Sequence, residues 1–245
     1  SPFAFWYSGT AAVFLFFVLS GFVLSYAILK QPEQAQYKIK SMLIKRYPRL
    51  AIPAVVSCLL IWLIFQVVNV DSSRANGWLQ AYVTQEISLR HALYEGTIGS
   101  FFFAESDTNW VLWTMHIELL GSLVLFLLLY LYQIKRVLFF IGSLVLPALA
   151  LYLKGEGFFL GILSFVIGIY IYLYAKTLPY SVAIAVFLFG LYLSGAHNSS
   201  ESYQWIYAVL GERTYEYGNF LGGVLIVYSI LMSPQLSNPF DRPLL

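Results

Sequence analysis

The sequence predicts an all-α integral membrane protein, a polytopic bundle of about seven transmembrane helices. Its charge content and the length of its apolar runs carry that prediction. Of 245 residues, 60% are hydrophobic and only 11% are charged, whereas a soluble domain is about a quarter charged. So little polar material cannot cover a surface that faces water. The apolar residues also fall into runs near the ~20 residues that a helix needs to cross a ~30 Å hydrocarbon core. The same composition excludes a disordered chain, and the single Cys58 excludes a domain held by internal disulfides.

The first run, Gly9–Leu29, contains no charge. The second, Leu50–Val70, opens with Pro53 in its first turn, where a missing N–H does little harm. The third, Trp113–Tyr132, contains His116 and Glu118. The fourth, Val137–Leu153, carries Pro147 as an expected kink, and the fifth is Gly157–Ala175. Tyr180–Ala196 is the sixth, and a short, Gly-rich stretch, Tyr217–Ser233, is the seventh. Between the second and third runs, Asp71–Leu112 does not read as a full span. Within it, Ile87–Ala104 mixes Arg90 and Glu95 with the aromatic run Phe101–Phe103, and reads as an interfacial or partly re-entrant segment completing a cavity, with a marginal eighth span as the alternative.

Loop charge orients the spans, because basic loops stay in the cytoplasm. Lys30, Lys38, Lys40, Lys45, Arg46 and Arg49 put the first loop inside. The long second loop, with Asp71, Glu86, Glu95, Glu105 and Asp107 against Arg74 and Arg90, falls outside. Lys135, Arg136 and Lys176 then fall inside, and the segments around Glu156 and Glu201–Glu216 outside. Trp6, Trp78, Trp110, Trp113 and Trp205 lie near expected outer interfaces, where amphipathic rings collect. A first run that starts outside, without a basic leader, reads as an excerpt. One domain, 1–245, is expected, incomplete at both ends.

Three features bear chemistry. Glu118 lies within a span, where a carboxylate costs about 2.5 to 3.5 kcal/mol on insertion scales and faces a cavity or a partner. His116, two positions earlier, is on a different face of the helix. Arg46 and Arg49, three apart, would project from one helical face at the membrane surface, and their forks suit phosphate oxygens. The alternative is a basic loop that sets topology and attracts anionic lipid. In Phe16-Phe17-Val18-Leu19-Ser20-Gly21-Phe22, the small residues admit a ligand or another helix. The sequence contains no Walker loop, dinucleotide fingerprint or Cys/His metal spacing. No metal or nucleic-acid partner is expected.

In this order, Phe16-Phe17 with Ser20-Gly21-Phe22, then Arg46, Arg49, Leu50 and Pro53, then Leu112-Trp113-Thr114 with Glu118, resemble the acyltransferase-3 family of integral membrane acyltransferases. Phe159–Phe165 also looks like a family segment. The resemblance spans nearly the whole chain. It implies a ten-helix bundle that moves an acyl group, often acetyl, from cytoplasmic acyl-CoA to hydroxyls of extracytoplasmic carbohydrate such as lipopolysaccharide or exopolysaccharide. It further implies a bacterial inner-membrane location and a general-base His in a helix before Ser1. Gly121 stands where the family often has an aromatic residue.

On this resemblance Arg46 and Arg49 hold the phosphates of acyl-CoA, a co-substrate rather than a tightly bound cofactor. Its thioester arm lies beside Ser20 and Gly21, with Ser20 and Glu118 as catalytic candidates. Glu118 orients or charge-balances the His base, and Trp110 and Trp113 stack on the acceptor sugar. Membrane lipids are the other expected partner. The competing reading is a secondary transporter or glycan translocator, with Glu118 as the proton-coupling site and the Gly-rich seventh run as a broken helix.

Overall fold

The structure is a computed structural model and describes residues 2–68, 73–74, 76–83 and 87–241. Among these residues every regular element is helical. The longer helices are α1 (Gly9–Leu29), α2 (Ala35–Val67), α3 (Gly77–Val83), α4 (Leu89–Tyr94), α5 (Trp113–Ile134), α6 (Arg136–Lys154), α7 (Glu156–Tyr174), α8 (Tyr180–Leu193), α9 (Gln204–Leu210), α10 (Thr214–Leu231) and α11 (Pro234–Asp241). Five segments are long and apolar enough to cross a membrane: Gly9–Leu29, Pro32–Val67, Trp110–Ile134, Arg136–Lys154 and Glu156–Tyr174. The chain is therefore an all-α polytopic membrane protein. The sixth and seventh expected runs form helices of 14 and 18 residues. Many large apolar side chains point outward, among them Ile52, Val67 and Leu144. In a bilayer these face lipid, where an apolar surface carries no penalty.

The second span differs from expectation. Helix α2 begins at Ala35, fifteen residues before Leu50, and both Pro48 and Pro53 lie inside it. The basic stretch is helical because Lys, Arg and Gln are good helix formers, and Ala35, Ile39 and Arg46 bury one face of it. Pro53 therefore opens no helix. At ~1.5 Å per residue, the 33 residues of α2 measure about 50 Å, more than a hydrocarbon core. Its Lys-rich first half thus has room to extend into the interface. Asp71 and Glu86, assigned to the outer loop, lie outside the described residues, as does the side chain of Trp78.

The chain forms two compact units, Ser1–Gln36 with Val124–Leu245, and Tyr37–Leu123. In the first, α1 packs on α7 and α10, α8 on α10, and α6 on α7. Glycines set these crossings. A Cβ on Gly168 would stand 2.7 Å from Gly21 Cα, and one on Gly223 would stand 2.8 Å from the Leu15 nitrogen. Helices α8 and α10 run antiparallel, since Gly190 abuts Ile226 while Gly222 abuts Ser194. The Gly-rich seventh run is thus a continuous helix whose glycines admit neighbouring backbones, not a broken one. The second unit packs Ala51, Ala54 and Cys58 of α2 against Ala92, Phe101, Leu112 and Leu119.

Candidate functional site

The second unit holds a dense set of buried charges. Helix α2 supplies Arg46 and α5 supplies Glu118, which are 8% and 1% exposed, and the arginine Nη2 donates to Glu118 Oε1. Burying two such ions costs several kcal/mol each, and mutual attraction repays this only with good geometry and further hydrogen bonds. Arg46 Nε is buried and has no hydrogen-bond partner among the described residues. The guanidinium carries five donors, so Glu118 anchors the group without exhausting it.

Arg46 and Arg49 do not present a matched pair of guanidiniums. Arg46 turns into the unit to meet Glu118, whereas Arg49 and Lys45 are exposed. The i, i+3 spacing leaves one residue on the inner edge of the helix and the other on its outer edge. Next to Arg46, the Tyr47 hydroxyl donates to the Thr97 carbonyl at 2.7 Å, and its ring meets Phe101 edge-on at 5.4 Å. These contacts tie α2 to the Ile87–Ala104 segment. That segment is α4 continuing into a π-helical stretch, Glu95–Phe103, which ends at Ala104 in the left-handed region (φ 58°). Wide π turns occur frequently at functional sites.

Glu95, at the start of the π stretch, is fully buried. Its carboxylate accepts from the backbone N–H groups of Thr108 at 2.7 Å and Asn109 at 3.0 Å. The Asn109 side chain in turn donates to Ser57 Oγ of α2 at 3.0 Å. Tyr82 donates to the Thr108 carbonyl. Burial, then the nearby Glu95 charge, push the Tyr82 phenol up, so it stays a neutral donor. His91 Nε2 lies 3.5 Å from Glu95 and 3.8 Å from Asp107, and the three donor atoms fall within 4.8 Å of one another. Of the described residues, these are the ones that could share a cation. Sequence reading passed over this group, although the His91–Glu95 spacing of four was a visible signal.

His116 is buried, with Nδ1 2.8 Å from the Phe101 carbonyl. A carbonyl only accepts, so the Nδ1 proton is the donor, and this bond pins the π stretch to α5. Its partner differs from that of Glu118, as the two faces require. Trp110 and Trp113 are 44% and 41% exposed, and Trp110 meets the Tyr82 ring edge-on at 5.3 Å. Trp6 and Trp205 are also exposed. Ser20 and Gly21 belong to the first unit. Ser20 is half-buried, while a Cβ on Gly21 would stand 3.0 Å from Phe165 Cα and 3.1 Å from Gly168 Cα. The close approach at Gly21 is made by α7. Of the sequence-selected residues, then, Arg46 and Glu118 are in direct contact.

A family model described as an acyltransferase domain matches residues 1–235. No curated protein and no solved structure matches the chain.

Proposed function

We infer the reaction from one premise: the chain belongs to the acyltransferase-3 family, whose model covers almost all of it, and it is an integral membrane acyltransferase. We propose that it moves an acyl group, acetyl in the simplest case, from cytoplasmic acyl-CoA to a hydroxyl of an extracytoplasmic or lipid-linked carbohydrate. The bacterial inner membrane is the proposed location. The hydroxyl oxygen attacks the thioester carbonyl, the new C–O ester bond forms, the C–S bond breaks, and CoA leaves as the thiol once the hydroxyl proton has passed to a base and on to sulfur.

The observation that carries this reading is the buried Arg46–Glu118 pair in a membrane bundle of this family. A paired, buried guanidinium with a donor to spare is a preorganised anion site, since it loses little orientational freedom when an oxygen arrives. On this proposal Arg49 and Lys45, exposed on the basic half of α2, attract the CoA phosphates. Arg46, held by Glu118, takes the inner phosphate or the thioester oxygen. Glu118 is then a positioning residue for Arg46 and charge-balances the cation formed when a base accepts the hydroxyl proton. Trp110 and Trp113, in the same unit as Arg46, offer exposed rings for a sugar face.

The test uses the protein in nanodiscs with radiolabelled acetyl-CoA and a panel of oligosaccharides. Arg49→Ala should raise the KM for acetyl-CoA about tenfold, equivalent to ~1.4 kcal/mol, and leave kcat within a factor of two. Arg46→Lys should lower kcat, because an ammonium cannot hold Glu118 and present further donors in the same fork. Protein that is folded but transfers no label from acetyl-CoA to any saccharide sinks the reading.

A further inference from the structure

We propose that the first unit contains a neutral-glycan site at the end formed by the starts of α1 and α10 and the end of α8. This deepens the acyl-transfer reading, on which its role as the acceptor subsite rests. A cavity of about 530 Å³ opens there, lined by Tyr7, Ser8, His197, Ser199, Ser200 and Tyr215 among others. Its volume falls in the range of roughly 300 to 1,000 Å³ typical of small-ligand sites. A second cavity of about 500 Å³ shares His197 and Tyr215 and adds Asn198, Arg213 and three carboxylates, Glu156, Glu212 and Glu216.

The chemistry of the lining selects the ligand. Among the described residues no Lys, Arg, Asp or Glu lines the larger cavity, so the lining described does not match the phosphates of a nucleotide. Hydroxyls, an imidazole and phenol rings instead match a polyol, whose hydroxyls both donate and accept and whose C–H faces rest on rings. In the neighbouring cavity Arg213 is paired with Glu156 at 2.6 Å, and the carboxylates of Glu212 and Glu216 can accept from the hydroxyls of a following sugar.

The site is built rather than incidental. Ser199 N and Oγ lie 3.3 Å and 2.9 Å from His197 Nδ1. The backbone N–H can only donate, so Nδ1 accepts and the neutral ring carries its proton on Nε2. Tyr215 meets the His197 ring edge-on at 5.6 Å, shares a hydrogen bond with Thr10 Oγ1 at 2.8 Å, and donates its N–H to Asn198 Oδ1 at 2.9 Å. Ser8 caps α1 through a bond from the Ala11 N–H and donates to buried Asn219 at 2.5 Å. Asn219 in turn donates to the Ala196 carbonyl at 3.1 Å. The lining is thereby fixed before a ligand arrives, which lowers the ordering cost of binding. By loop charge this end of α1, α7 and α10 faces outward.

The experiment exploits the lone, buried Cys58. Ser199→Cys in the full chain, in oriented vesicles, is labelled with a membrane-impermeant maleimide. Labelling from outside, slowed at least fivefold by millimolar maltotriose, lactose or diacetylchitobiose and unaffected by acetyl-CoA, supports the site. Labelling only from inside, protection by acetyl-CoA, or no protection by any of the three saccharides overturns it. His197→Ala, assayed by transfer, should raise acceptor KM about tenfold with acetyl-CoA KM unchanged; an unchanged acceptor KM also overturns it. Sugar protection without any acyl transfer would instead leave the site standing and defeat the reaction proposed above.

Discussion

The two units differ in what fills their interiors. In the first, helices meet backbone to backbone at Gly21, Gly168, Gly190, Gly222 and Gly223, and its longer polar networks gather at one end, around His197 and Asn219. In the second, the interior holds Arg46, Glu118 and Glu95. Lipid is as apolar as leucine, so helices in a bilayer gain little from hydrophobic burial and associate through close packing or through polar bonds. The glycine unit relies mainly on the first route; the charged unit adds the second to a close approach of its own, at Gly96 against Val55. The charged route spends stability on ions that an apolar interior would omit, which is why the proposed reaction assigns Arg46 and Glu118 a role there.

Gly168→Leu should produce the largest effect that tests this contrast. The new side chain would enter the backbone of α1 between Val18 and Phe22, and the folded, monodisperse fraction on size exclusion should fall to near zero. Gly9→Ala, whose Cβ meets nothing within 4 Å, should change stability by less than about 0.5 kcal/mol. A folded Gly168→Leu protein would show that close packing is not what holds the first unit.

Next in size is the ion pair. Glu118→Ala leaves Arg46 buried and unpaired and should cost about 3 to 5 kcal/mol in unfolding measurements. The double substitution Arg46→Met with Glu118→Leu should recover most of that stability and none of the acyl transfer. If the double variant is no more stable than Glu118→Ala, the pair is structural and the distinction between the units fails.

A smaller effect than that of the ion pair concerns Tyr203 in the first unit. Burial, then Tyr192 and Tyr7, push its phenol up to about 12, and its hydroxyl donates to the Tyr192 carbonyl at 2.7 Å. An unfolded tyrosine ionises near 10, so the neutral form is favoured by the fold. That contribution is complete below about pH 10 and is lost as pH rises toward 12, where the unfolded chain binds fewer protons than the native one. Tyr203→Phe should cost about 1 kcal/mol at pH 8, and its melting temperature should fall less than that of the parent between pH 9 and pH 11.5. Parallel curves would remove Tyr203 from the packing of this unit.

Much of the frame was legible in the chain. Gly9–Leu29, Trp113–Tyr132, Val137–Leu153 and Gly157–Ala175 come within a few residues of observed helices, because uncharged runs of that length have few alternatives in a bilayer. The start of α2 was not legible: a Lys- and Arg-rich stretch resembles a loop by charge, and only the burial of Ile39 and Arg46 shows that it has an inward face. Arg46 and Glu118 each stood out as candidates, but no local pattern relates residues 72 positions apart.

Composition and run length alone determined the membrane setting and the helical class, since these depend on transfer free energies summed along the chain. Which side chains meet was decided only by tertiary structure. The Arg46–Glu118 pair, the Glu95 cradle and the hydroxyl-lined cavity each join distant segments. Such contacts depend on how helices cross, and the crossings follow from the distances to which small residues let backbones approach.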